Sequence, residues 1–373
     1  MIRLTYGDRQ AFRFRHRDVN ILGNLDATLP LKKSVYQLNG GLPVHFYVEP
    51  EPKPGGKKYP WGTKTPSVHR LRNRVGHFNI EIPIDCPKLQ TGLNQIVIQI
   101  EDIDGKCERI EAEFSWDPCP LALPLNLQDL SRYQNIQDVG QVVNGAFDLD
   151  RERNAICSRM PVGSDSLLLL GSPHDSQEAT YNIKFRNIDK EWCFVGASDF
   201  FAGHLEQSPD LGIKPGYCTS GLATIDRTGR VQIWMAWGDC LMDKDRTWVI
   251  RTEKKIKFPI QPNILYNVRH QVIISEGISY SRFRIWKSGQ REPKRWLCKQ
   301  NNARLDPKFP RITQASFGLF QYWGLQTEWS NINVKPLSID VKTLDFSEER
   351  NVLSEFWEKV RERIATRFFR LSR

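Results

Sequence analysis

The sequence predicts an all-β protein: two antiparallel sandwiches in series, followed by one amphipathic helix. Three observations carry this. Short runs of alternating apolar and polar residues, punctuated by Gly, Pro, Asn and Asp, recur from Ala11 to Pro336. A Pro-rich stretch, DPCPLALPLNL, divides them into a shorter and a longer set. Helical periodicity is confined to the segment after Asp345. The chain has 373 residues, 40% apolar and 26% charged, which suits two cores and is too apolar for disorder.

In the first set the predicted strands are Ala11–Arg15, Ser34–Leu38, Val44–Val48, His77–Ile82, Leu93–Ile100 and Cys107–Trp116. The last two form a hairpin, with Asp104-Gly105 at the reversal, where glycine supplies a positive φ without steric cost. Short antiparallel strands at this spacing suit an Ig-like β-sandwich over residues 1–117. A stiff, Pro-rich linker follows over 118–133. The second set covers 134–337, with predicted strands Thr180–Arg186, Trp192–Val195, Leu222–Asp226, Val231–Trp237, Thr247–Thr252, Tyr266–Ser275, Ser281–Lys287, Ser316–Tyr322 and Ser330–Pro336. So many strands without helices predict a two-sheet jelly roll. Residues 338–373 supply a linker and a helix, whose Val352, Leu353, Phe356, Trp357, Val360, Ile364 and Phe368 follow the i, i+3, i+4 rule. Asp345 or Ser347 caps its start, and its C-terminal half is basic.

Composition narrows the function. No stretch approaches the roughly 20 apolar residues of a membrane-spanning helix. The start, MIRLTYGDRQ, lacks a basic head followed by an apolar core, so no signal peptide is visible and the cytoplasm is the default compartment. The eight cysteines include no CxxC pair, which argues against a zinc site or redox dithiol and for buried thiols. Fifty-three Lys and Arg against 43 Asp and Glu leave a formal charge of +10, which favours anionic partners.

Several stretches resemble a known architecture. VNILGNLDATLPLKKSVYQLNGG and GHFNIEIPIDCPKLQTGLNQIVIQIEDIDG resemble an Ig-like module of bacterial multidomain proteins. SLLLLGSPHDSQEATYNIKFRNID, YSRFRIWKSGQREPKRW and QASFGLFQYWGLQTEWSNINVKPL resemble successive strands of a laminin G-like, concanavalin A-like jelly roll. The resemblance covers 18–337, implies an extracytoplasmic protein, and leaves activity open, because lectins, glycan-binding modules, hydrolases and lyases share the sandwich.

Catalytic patterns are absent from the sequence. It has no E-x-D-x-x-E strand, G-x-S-x-G elbow, HExxH pair or P-loop, and its seven histidines are dispersed. Calcium could draw on Asp148, Asp150 and Asp306, but no D-x-D-x-D-G loop accompanies them, and no cofactor is expected. Glycan binding needs only aromatic faces flanked by hydrogen-bonding groups. Strand alternation places Val231, Ile233, Met235 and Trp237 inward and Trp234 outward. It places Phe283 and Ile285 inward, with Arg282, Arg284 and Trp286 outward; and Ile332 and Val334 inward, with Trp329 and Asn331 outward. If these strands share a sheet, Trp234, Trp286, Trp329, Arg284 and Asn331 form a carbohydrate-binding face suited to an acidic polysaccharide.

Two segments remain. From Lys53 to Arg74 the chain is basic, with Lys57, Lys58, Lys64, Arg70 and Arg72 around Trp61, the composition of a polyanion-binding loop; no nucleic-acid-binding motif accompanies it, and nucleic acid is not the expected partner. The terminal helix can dock on the sandwich, a protein partner or an anionic membrane surface. The sequence thus points to non-catalytic glycan recognition by the second sandwich, with the first as spacer or docking module. A polysaccharide-active lyase or hydrolase on the same fold, and an assembly protein acting through the helix, are the alternatives.

Overall fold

The computed structural model describes residues 1–13, 16, 18–26, 31–48, 75–119, 122–159, 166–186, 193–204, 216–225, 231–237, 250–256, 260–276, 278–296, 298–301, 314–321 and 326–344. Between 193 and 256 the description is of the backbone. The predicted terminal helix lies outside the described residues, as does the basic loop with Lys57, Lys58, Trp61, Lys64, Arg70 and Arg72.

The N-terminal strands are β1 (Ile2–Leu4), β2 (Arg9–Phe12), β3 (Asp18–Leu25), β4 (Leu31–Leu38), β5 (Val44–His45), β6 (His77–Pro83), β7 (Gly92–Asp102) and β8 (Cys107–Trp116). They form two sheets, ordered β1-β3-β6 and β2-β8-β7-β4-β5, antiparallel except for the edge pair β2–β8. Alternation along β7 buries Ile96, Ile98 and Ile100 in one core with Ile21, Phe78, Ile80, Ile82 and Phe114. The β7–β8 reversal matches its sequence: Gly105 takes φ +83°, and Asp102 accepts from the backbone N–H groups of Asp104 and Lys106 at 3.0 and 2.9 Å.

The following strands are β9 (Leu125–Leu127), β10 (Gly140–Asn144), β11 (Phe147–Asp150), β12 (Ala155–Ser158), β13 (Ser166–His174), β14 (Gln177–Phe185), β15 (Cys193–His204) and β16 (Gly216–Ile225). They continue as β17 (Val231–Trp237), β18 (Ile250–Ile256), β19 (Leu265–Ser275), β20 (Ile278–Lys287), β21 (Cys298–Asn301), β22 (Ala315–Gln321) and β23 (Thr327–Pro336). A seven-stranded sheet runs β10-β13-β22-β15-β16-β17-β18, and an eight-stranded sheet runs β11-β12-β23-β14-β19-β20-β21, with β9 also on β23. One core lies between them: Leu168, Leu170, Phe317 and Leu319 meet Tyr181, Ile183, Phe185, Phe283, Ile285 and Trp329.

The expected linker ends early. Leu125 and Leu127 pair with Val334 and Ile332, and Leu127 and Leu130 are wholly buried, so the second sandwich begins at β9. Asn126 and Gln128 alternate with the leucines, a strand signal that the three preceding prolines, Pro118, Pro120 and Pro124, obscure.

The two sandwiches dock through buried amides. β3 is buried along nearly its whole length because one face covers its own core and the other meets β10. There Gln141 Nε2 donates to the Asp18 carbonyl at 2.6 Å and to Asn20 Oδ1 at 2.7 Å. Asn20 donates to Asn79 at 3.2 Å, and Asn79 donates to the Val143 carbonyl at 2.8 Å. Nearby, Gln137 donates to Gln10 and accepts from the Ala11 N–H, His16 Nδ1 meets Ser316 Oγ at 3.0 Å, and the Tyr6 hydroxyl accepts from the Phe147 N–H at 2.9 Å. Directional bonds of this kind fix one orientation, so the first sandwich is held against the second.

Candidate functional site

Side chains on the outer face of the eight-stranded sheet come from alternate positions on four adjacent strands, and the register sets them in rows. Asn182 on β14 lies opposite Asn267 on β19, which lies opposite Trp286 on β20. Asn331 on β23 completes the row: its Nδ2 donates to Asn182 Oδ1 at 3.1 Å, and Asn182 Nδ2 donates to Asn267 Oδ1 at 3.0 Å. The amides therefore run head to tail. Among the described residues, the Asn331 amide oxygen at one end and the Asn267 amino group at the end beside Trp286 are not used within the row. Asn331 is exposed, while Asn182, Asn267 and Trp286 are half-buried.

This arrangement unites two predicted residues, Trp286 and Asn331, and adds Asn182 and Asn267, which the sequence reading missed. Their outward position is legible from the buried Tyr181, Ile183, Tyr266 and Val268 beside them. Their mutual contact is not, because it depends on pairing across 85 and 149 positions.

Trp329 is a correction. It is wholly buried against Phe147, with ring centroids 5.9 Å apart, and faces the core opposite Ile183. The cause is a β-bulge: pairing shifts between Thr180 and Asn182, and Asn331 adopts φ +50°, in the left-handed region that asparagine tolerates. The extra residue reverses the alternation, so Trp329 and Ile332 both point inward although they are three positions apart. A second correction concerns Trp234. Its strand, β17, belongs to the seven-stranded sheet, so the expected single face does not include it; its side chain lies outside the described residues.

Arg284 points outward as expected, but its guanidinium is committed. It pairs with Glu292 at 2.6 Å, donates to the Lys294 carbonyl at 2.9 Å, and stacks 3.8 Å from the Trp296 ring centroid. Arg269, opposite Arg284, pairs with Glu292 at 2.9 Å and with Glu178 at 2.8 Å. Lys335 also reaches Glu178, at 3.0 Å, and Gln271 donates to it. Burial pushes both carboxyls up, but bonds from Gln271, Lys335 and Arg269 at Glu178, and from Arg269 and Arg284 at Glu292, outweigh it and hold both below the usual carboxylate range. Neither is suited to act as a general acid.

A cleft of about 830 Å³ opens at the other end of the sheet, between β11, β12, β23 and Tyr6. Three of its carboxylates are also paired. Asp148 meets Arg159 at 2.9 Å, Asp150 meets Arg153, and the buried Glu328 meets Arg153 at 3.3 Å, Lys184 at 3.1 Å and Arg186. The bond from Arg153 holds Asp150 below the carboxylate range. Burial pushes the Cys157 thiol up to about 12, with Glu328 adding to the shift, and burial likewise raises Tyr6 to about 12. The thiol is therefore not a ready nucleophile. Asp148 and Asp150, the candidate calcium ligands, are bound to guanidinium groups, and Asp306 lies outside the described residues; no metal-ligating cluster occurs among the described residues.

No protein-family model matches the chain, and no curated protein does. Solved structures are similar in part. An alginate lyase Aly36B variant in complex with alginate tetrasaccharide is 10% identical, with TM-score 0.37, over 58% of this chain and 98% of that chain. The carbohydrate-binding module CBM66 from Bacillus subtilis is 16% identical, with TM-score 0.30, over 52% of this chain and 94% of that chain. The potassium-bound Emp46p carbohydrate recognition domain is 8% identical, with TM-score 0.38, over 57% of this chain and 97% of that chain.

Proposed function

We propose that the protein recognises a carbohydrate without transforming it, and that it does so on the outer face of the eight-stranded sheet. The observation that carries this reading is the Asn331–Asn182–Asn267 row ending at Trp286. A sugar ring offers an apolar C–H face and a rim of hydroxyls that both donate and accept. An indole covers the first, and amide groups match the second. The row is held by its own hydrogen bonds on rigid strands, so little ordering is needed when a ligand arrives. The first sandwich, fixed by the Gln141 contacts, acts as a docking module rather than a loose spacer.

A glycan array probed with the full chain, Trp286→Ala and Asn267→Ala tests this. Glycans bound by the parent and lost by both variants support it; binding that both variants retain in full removes the row from the site.

One observation favours a second reading, a polysaccharide-active enzyme: Asp148, Asp150 and Glu328 meet in one cleft with Tyr6. Their ion pairs weigh against acid–base chemistry. Release of reducing or unsaturated ends from a polysaccharide panel, abolished in Glu328→Gln, would favour the enzyme.

A further inference from the structure

We propose that the carbohydrate is acidic, its carboxylate or sulfate groups being taken by Arg282 on one side of the amide row and by Lys184 and Arg186 on the other. This rests on the recognition reading above and adds the charge of the ligand.

The first flank holds more cations than its acids can neutralise. Arg269, Arg284 and Lys335 share two carboxylates, Glu178 and Glu292, and Arg282 stands beside them. Arg282 has none of its own among the described residues: its Nε donates to Gln271 at 2.5 Å, and its guanidinium lies 4.5 Å from the Trp296 centroid. That indole therefore carries two guanidinium groups. Burial, and then the like charge of Arg284, lower the Arg282 pKa. The buried Nε of Arg284 meets no acceptor among the described residues. An added anion would relieve this crowding.

The second flank repeats the imbalance. Arg153, Lys184 and Arg186 converge on Glu328, with Asp150 the one other acid bound to them among the described residues. Lys184 and Arg186 are about a third exposed, and Glu328 beneath them is buried. Lys184 stands two residues from Asn182, roughly 7 Å along the strand, and Arg282 four residues from Trp286, roughly 13 Å. A chain lying along the neutral row thus finds positive charge on both sides. Single-stranded nucleic acid fits less well, because its bases need a series of stacking rings and the row offers one.

Two matched pairs of polymers test this with the full chain: polygalacturonate against its methyl ester, and dextran sulfate against dextran, with poly(dT) as a further arm. The charged member of at least one pair should bind about tenfold tighter than its neutral partner at low salt; which pair responds separates carboxylate from sulfate recognition. Arg282→Gln and Lys184→Gln should each remove most of that preference, and Arg282→Lys should restore part of it. Equal binding within both pairs, a preference that both Gln variants keep, or tighter binding of poly(dT) would overturn the inference. If none of the polymers binds, the acidic ligand is excluded, and the glycan array decides separately whether the recognition reading stands.

Discussion

Asn267 and Trp286 face each other across the β19–β20 pair, so the last amide of a hydrogen-bonded row meets an indole on the same outer face. Hydroxyl-matching groups thereby come beside a surface that accepts C–H bonds. Trp286→Ala should weaken glycan binding roughly tenfold, while unfolding free energy changes by less than about 1 kcal/mol. Titration calorimetry and urea denaturation of the same preparation check both halves.

Trp329→Ala should do the reverse. The ring is wholly buried against Phe147, and its loss should cost about 3–5 kcal/mol of stability. Urea midpoints measure this, and a near-neutral result would contradict the inward placement set by the bulge.

The contrast between the two tryptophans shows how much of the site could be read from the sequence. β20 alternates without interruption, so Arg282, Arg284 and Trp286 lie outward as the pattern requires. In β23 the same rule fails at one step, because Asn331 forms a bulge that the pattern leaves unmarked, and Trp329 changes faces. The all-β class, the β7–β8 hairpin and the inward Ile332 and Val334 were legible for the same reason: each follows from local periodicity. The amide row, the fold-back of Trp296 onto two arginines and the placement of β17 in the other sheet all depend on distant pairings, which periodicity does not contain.

The junction between the sandwiches gives a third prediction. Gln141→Leu removes the donor shared by the Asp18 carbonyl and the buried Asn20 Oδ1, at a cost of about 1–3 kcal/mol. Calorimetric unfolding should change from one transition to two as the sandwiches uncouple. A single transition at an unchanged temperature would show that these amides do not join them.

Acid sensitivity follows from two buried imidazoles. His16 and His270 are enclosed, and burial lowers both to about 3 from 6.5. Between those values the unfolded chain binds more protons, so stability present above pH 6.5 is lost as pH falls, by up to roughly tenfold per unit for each histidine. Glu178 and Glu292, held below their ordinary 4.5, add to the loss only at lower pH. The urea midpoint should therefore fall between pH 6.5 and 4.5, and less steeply in His270→Gln. A flat profile across that interval would contradict the assignment.

The most direct measurement is nuclear magnetic resonance of the isotope-labelled full chain, titrated with the strongest-binding glycan from the array. The side-chain amides of Asn182, Asn267 and Asn331 and the indole N–H of Trp286 should shift together, saturating at one dissociation constant. Shifts confined to the Glu328 cleft or the first sandwich, with those four signals unmoved, would contradict recognition on this face.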